Sequence, residues 1–309
     1  MNAKFFLFEF GSTSLKFHFR TFEGGPIQAA KVPWQIAWEV ERTGSISRKS
    51  IDQAVFDVQA ILARYGAGCD PDAVLAFATG VFREAKNILE FLVQVWMRAG
   101  IKVRVISGDQ EAALLKALFL GRNPPDRAFA FDLGSGSLQW VFHAGAGSCE
   151  RGSVRVGVVR LLRSASDDRG SFVTGYGYYL ARQHLSGIPA AKPDVMVGTG
   201  GTVRAIAKTL GAESFGRRAI EDLIARVSRD GPPAGLKPHR VPLFLPGLVL
   251  VHTLLKELGG DEIRYEKLSV GEALLEKVLP FYGEDSSPHP TKVWQKIRFS
   301  EILPLAGAG

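Results

Sequence analysis

Leu7-Phe8-Glu9-Phe10-Gly11-Ser12-Thr13-Ser14-Leu15 returns as Ala130-Phe131-Asp132-Leu133-Gly134-Ser135-Gly136-Ser137-Leu138, every position displaced by 123 residues. Each copy reads apolar run, acid, apolar residue, Gly, Ser, any residue, Ser, and then a second apolar run. Phe17 and Phe19 beyond the first copy match Trp140 and Phe142 beyond the second. Two short apolar runs around a Gly/Ser turn predict a β-hairpin. A repeat at fixed spacing counts structural units. One hairpin opens each half, so two domains of like topology are expected, residues 1–122 and 123–309. The breaker cluster Gly121-Arg122-Asn123-Pro124-Pro125 marks the junction.

Between and after the hairpins, strands alternate with helices. Ile51, Val55, Val58, Ile61 and Leu62 share one helical face, and Asn87 to Arg98 and Ala112 to Leu120 read as further helices. Ala73 to Ala78 and Val103 to Ile106 read as short strands. The second half repeats the theme, with a helix near Tyr178 to His184, a strand at Val195-Met196-Val197 and a helix over Val203 to Leu210. Helix-like stretches follow at Ala219 to Val227 and Leu248 to Leu258, then a Pro- and Ser-spotted tail from Gly283 with one amphipathic piece around Lys292 to Phe299. Strands alternating with helices imply partly parallel pairing and an α/β class.

Composition bounds the function. With 309 residues, 46% hydrophobic and 22% charged, the chain is globular and long enough for about two domains, each with its own core. Two cysteines, Cys69 and Cys149, are too few for a disulfide framework or a zinc ribbon. Six histidines lie scattered, without metal-ligand spacing. The run Phe5-Phe6-Leu7-Phe8 stops at Glu9, short of a signal peptide. Val241 to Leu255, broken by Pro242 and Pro246, is read as short of a membrane span. A cytoplasmic protein with no membrane partner is expected. The net charge of +7 suits a polyanion. Basic residues neither cluster in runs nor interleave with aromatics, which argues against nucleic acid.

Several segments can carry chemistry. The two Gly/Ser turns allow close approach of backbone amides to an anion, with hydroxyls as extra donors, and the acid before each can hold Mg²⁺ or polarise water; tight hairpin turns explain the same residues. Gly198-Thr199-Gly200-Gly201-Thr202 joins a strand to a helix amino terminus, an anion site or simply a capped start. It is neither a Walker A loop nor a dinucleotide fingerprint. Ser107 and Gln110 have capping-box spacing, which makes Glu111 either a first-turn acid or a general base. Arg83, after a strand and a Gly, reads as a surface arginine or a phosphate clamp.

Taken together, Glu9 to Ser14, Ala78 to Asn87, Val105 to Ala112, Phe131 to Trp140, Arg155 to Arg160 and Val197 to Ala207 resemble, in order, the segments of the Ppx/GppA phosphatase family, the exopolyphosphatases and guanosine pentaphosphate phosphohydrolases. Arg240 to Leu248 and Leu268 to Leu275 look like its closing helical segments. The resemblance implies two duplicated ribonuclease-H-like domains of the actin-like (ASKHA) group with a cleft between them. It also implies release of terminal phosphate by water attack in that cleft, with Mg²⁺ as cofactor.

By the same resemblance Glu111 is the catalytic glutamate and Asp132 the acid that positions metal and water. Ser12, Thr13, Ser14, Arg83, Gly134, Ser135, Gly136, Ser137, Gly200, Gly201 and Thr202 face phosphate, and Glu9, Asp132 and Gln139 surround the metal. Three positions depart from the family pattern: Glu9 for Asp, Ser135 for Gly, and Gln139 for Glu. The substrate implied is polyphosphate or a phosphorylated guanosine nucleotide, and the assembly a homodimer. A non-catalytic polyphosphate or nucleotide sensor of the same fold is the alternative. A kinase or ATPase is the third reading, since related two-domain folds include sugar kinases.

Overall fold

The computed structural model describes residues 4–21, 24–65, 74–145, 147–189 and 192–278. Strands β1 (Lys4–Gly11) and β2 (Ser14–Thr21) form the first hairpin, with Glu9 opposite Lys16 and Gly11 opposite Ser14. Phe5, Phe6, Leu7 and Phe8 are all fully buried. A strand covered on both faces needs no polar alternation, which is why this run is continuously apolar. β3 (Gly24–Pro33) pairs with the outer side of β2. On the other side β4 (Val74–Ala78) lies parallel to β1, and β5 (Arg104–Val105) parallel to β4. The sheet order is β3-β2-β1-β4-β5. Helices α1 (Ile36–Thr43), α2 (Arg48–Tyr65) and α3 (Ile88–Ala99) belong to the same unit.

After α4 (Gly108–Leu120), the second sheet repeats that order. β6 (Ala128–Leu133) and β7 (Leu138–Gly145) make the second hairpin, and β8 (Ser148–Val154) extends it. β9 (Val195–Thr199) lies parallel to β6, and β11 (Glu262–Tyr265) parallel to β9. The short strand β10 (Ser214–Gly216) adds an antiparallel edge, so the order is β10-β11-β9-β6-β7-β8. A three-stranded meander followed by parallel strands thus occurs twice, the duplicated ribonuclease-H-like topology expected of the actin-like group. Helices α5 (Val158–Ser164), α6 (Thr174–Leu185), α7 (Gly200–Leu210), α8 (Arg217–Asp230) and α9 (Phe244–Leu258) complete the unit.

The chain divides into two compact units, residues up to Gln110 together with those from Ser269 onward, and Glu111–Leu268. The first limit lies ahead of the single boundary expected at the 121–125 breaker, and the second, a return of the chain to the first unit, was not expected. The first falls inside α4, because Leu115 and Phe119 bury themselves with Ala128, Ala130, Val141, Val197 and Leu268 of the second unit. The second precedes α10 (Val270–Val278), which returns to pack on β1 and β2. There Gly271 lies so close to His18 that a Cβ would stand 2.4 Å from its Nε2.

Pro238–Leu258, a 3-10 turn running into α9, is long and apolar enough to cross a bilayer, contrary to the reading of Val241 to Leu255. It is a core helix here, buried inside the protein along most of its length. Cys149 is a free, partly buried thiol whose burial pushes its pKa up. Cys69 and the tail from Gly283, with its Lys292 to Phe299 piece, lie outside the described residues.

Candidate active site

The second hairpin and the start of α4 come together around Gln139. The capping box forms as its spacing predicts: Gln110 donates its backbone N–H to Ser107 Oγ at 3.1 Å, and Ser107 N–H donates to Gln110 Oε1 at 2.8 Å. That box fixes where α4 begins and so where Glu111 stands. Gln139, directly opposite Asp132 in the β6–β7 ladder, is only 4% exposed. Its Nε2 lies 3.3 Å from Glu111 Oε2, 3.0 Å from Ser137 Oγ and 3.1 Å from Ser153 Oγ. An ionised carboxylate only accepts hydrogen bonds, so the nitrogen end of the amide must face Glu111.

The turn between Asp132 and Gln139 is locked onto α5. Gly134 N–H donates to Ser137 O at 3.0 Å, closing the turn. Gly134 O accepts from Val158 N–H, and Ser135 O from Val159 N–H, at 3.2 and 3.0 Å. The amino end of α5 is thereby satisfied by loop carbonyls rather than by a side-chain cap. Gly157 makes this approach possible: a Cβ there would lie 2.3 Å from the Ser135 carbonyl carbon. Ser135 and Ser137 are buried, and Gly134 is partly exposed.

The first hairpin uses the same backbone differently. Lys16 holds the Glu9 position opposite it with an ion pair of 2.5 Å. Burial presses the Glu9 carboxyl upward, yet Lys16, helped by the charges of His18 and Lys31, prevails and keeps it below its ordinary value. The turn is wrapped from outside. Trp34 donates its indole N–H to Gly11 O at 2.7 Å and its backbone N–H to Thr13 O at 3.1 Å, while Ala37 N–H donates to Ser12 O at 2.9 Å. Ser12 Oγ accepts from Val81 N–H at 3.1 Å, so this hydroxyl ties the turn to the 3-10 segment Gly80–Arg83. Ser12 and Ser14 are buried, leaving Thr13 partly exposed. Arg83 ends that segment and donates from Nη1 to Ile106 O at 3.2 Å.

A second internal match appears only in three dimensions. Thr79-Gly80 after β4 and Thr199-Gly200 at the end of β9 both pair an extended Thr with a Gly in the left-handed region, φ 62° and 88°. Each Gly lets its turn touch the neighbouring hairpin. A Cβ on Gly80 would lie 2.0 Å from Ser12 Oγ, and one on Gly200 2.3 Å from Asp132 Oδ1. Thr199 Oγ1 exchanges hydrogen bonds with Leu268, at 3.3 and 3.2 Å. Thr202 is buried, with its methyl against Gly247.

Gly201 carries the guanidinium of Arg240, whose Nη2 would stand 2.0 Å from a Cβ there. Burial, and then the charge of Arg204, pull the Arg240 pKa down. Two arginines at the amino end of α7 make this turn attractive to anions. Sequence reading overlooked Gly157 and Arg240 as site residues. Gly157 had a signal in lying within the segment Arg155 to Arg160, whereas Arg240 is brought to Gly201 only by the turn into α9.

The cation that the resemblance implies finds a limited donor set. Among the described residues no group of three or more His, Cys, Asp or Glu is arranged to hold a metal. Glu9 is engaged by Lys16, and Gln139 presents nitrogen to Glu111, so in this arrangement Glu9 is taken and no cation fits between Gln139 and Glu111. Asp132, half-buried at the end of β6, fits one that arrives with phosphate oxygens, a mode in which Mg²⁺ needs only one or two carboxylates.

Comparison with known proteins agrees with this architecture. Residues 25–280 match the model of the Ppx/GppA phosphatase family. The chain is 24% identical over 296 residues to exopolyphosphatase 1 of Mycobacterium leprae, covering 87% of this chain and 86% of that protein. Among solved structures, an exopolyphosphatase from Cytophaga hutchinsonii superimposes with a TM-score of 0.73 at 16% identity, covering 90% of this chain and 98% of that one. The Aquifex aeolicus PPX-GPPA enzyme gives 0.68 at 19% identity, covering 89% and 99%.

Proposed function

The chain belongs to the Ppx/GppA phosphatase family, and we propose that it releases terminal phosphate from inorganic polyphosphate by attack of water. The observation that carries this reading is the carboxylate of Glu111 at the start of α4, held at 3.3 Å by Gln139 of the hairpin that also bears Asp132. In this reading Glu111 acts as general base: it accepts a proton from water as the water oxygen bonds to the terminal phosphorus and the bridging P–O bond breaks. The leaving chain keeps the electron pair. Charge on the transferred group is met by the amides of Ser135 to Ser137, in the turn that Gly134 closes, and by Gly200, Gly201 and Thr202, with Arg240 beside them. Asp132 would hold Mg²⁺, which when bound offsets charge on the phosphate oxygens.

Hydrolysis on one phosphate chain also requires the first unit's share, Ser12, Thr13, Ser14 and Arg83, to act with the second unit's loop in the cleft that the resemblance implies. Arg83→Met tests that requirement: a KM for polyphosphate raised about tenfold or more supports it, and an unaltered KM removes Arg83. A homodimer belongs to the same reading and rests on the resemblance, and a cytoplasmic location is proposed with it.

The pairing of Glu9 with Lys16 favours one second reading, a polyphosphate or guanosine-nucleotide binder with little turnover, because one of the two hairpin acids is no longer available. Phosphate release from long-chain polyphosphate, short polyphosphates and guanosine pentaphosphate, with and without Mg²⁺, separates the two. Release from polyphosphate that disappears in Glu111→Gln is the expected result. Tight binding without release establishes the binder, and guanosine pentaphosphate as the preferred substrate replaces polyphosphate.

A further inference from the structure

Gln139 is a neutral amide in a buried polar cluster, and its surroundings give that residue type a consequence. The side chain is buried, and its nitrogen lies within hydrogen-bond distance of three acceptors, the Glu111 carboxylate and the hydroxyls of Ser137 and Ser153. A carboxylate in its place would set two like charges about 3.3 Å apart in a buried setting. Like charges so close are held together only by a cation or a shared proton. The amide removes that requirement and supplies a donor instead.

We infer that Gln139 is a positioning residue that holds Glu111 in its acting geometry without a cation between positions 111 and 139. It touches neither water nor phosphate in this role; it acts through Glu111, so the inference rests on the hydrolase reading for its kinetic consequence. Ser137 and Ser153 fix the amide in turn, one in the phosphate-facing turn and one on the neighbouring strand β8 opposite Gln139. Cation use in this unit is then confined to Asp132 and the phosphate itself.

The test uses the full chain with Gln139→Met, which keeps the length and removes the donor, and Gln139→Glu, which introduces a second carboxylate. Gln139→Met is expected to lower kcat on polyphosphate more than tenfold while KM stays within about twofold, the split expected when only transition-state positioning is lost. Gln139→Glu without substrate is expected to bind Mn²⁺, read by titration calorimetry, at least tenfold more tightly than the parent chain. Its melting temperature should rise on adding Mg²⁺ where that of the parent does not. An unaltered kcat in Gln139→Met overturns the inference, as does Mn²⁺ binding by the parent equal to that of Gln139→Glu. If the parent chain itself releases no phosphate, the hydrolase reading fails, and the substrate-free Mn²⁺ comparison still decides the inference.

Discussion

The two hairpins have one backbone and two fates. Glu9 faces Lys16 across the first ladder, and Asp132 faces Gln139 across the second, at the same register. In the first, a lysine neutralises the acid, and the turn is bound on its outside by Trp34, Ala37 and Val81. In the second, the residue facing the acid turns to Glu111, and the turn rests on backbone amides of α5. Duplication supplies two equivalent cradles. The residue opposite the acid marks the difference: a lysine that pairs with Glu9 in one copy, and an amide turned to Glu111 rather than to Asp132 in the other.

Breaking the second copy should have the largest effect. Glu111→Gln is expected to lower kcat for phosphate release by a factor on the order of 10² to 10⁴, the usual range for losing a general base. Steady-state assays on polyphosphate check it. Gly157→Ala attacks the same copy from behind. Its φ of −150° suits any residue, so the damage comes wholly from a Cβ 2.3 Å from the Ser135 carbonyl carbon. A displaced loop is expected to cost about 1–3 kcal/mol of stability and about a hundredfold in rate. Denaturant melts and kinetics on one preparation measure both.

Breaking the first copy should show in stability. Lys16→Met leaves Glu9 buried without its ammonium, at a cost of about 1–3 kcal/mol near neutral pH. The folded-state pKa of Glu9 is held below its ordinary 4.5. The pair's contribution is therefore fully present above that value and is lost as pH falls through the lowered one. The melting-temperature gap between parent and Lys16→Met should accordingly be widest at neutral pH and close on acidification; a gap that widens in acid contradicts the assignment. The smallest effect is expected from Arg240→Met, which should raise KM for polyphosphate several-fold with kcat nearly kept.

Much of this comparison was legible in the sequence, since the hairpins announced themselves by a repeat with its acid and Gly/Ser turn in place. The third strand of each meander did not. β3 is exposed along most of its length and lies at a sheet edge, so nothing imposes apolar alternation on Pro26 to Pro33. β8 lacks alternation for the same reason of position. α5 is 7 residues long and β5 is 2, too short for any period to register. At the site, the residue types were legible and their partners were not. Nothing in the spacing of Glu111 and Gln139 says that a helix start and a strand will meet. Arg240 reaches Gly201 only because the chain folds back through α8 into the 3-10 turn at 238–243.

The most direct test of the divided roles is phosphate release from long-chain polyphosphate by Asp132→Asn and Glu9→Gln, measured side by side at saturating substrate with melting temperatures in parallel. The expected result is a loss of at least a hundredfold for Asp132→Asn and of less than tenfold for Glu9→Gln, with the larger drop in melting temperature in the latter. Equal losses of rate, or a greater loss in Glu9→Gln, would contradict it and return both hairpin acids to the chemistry.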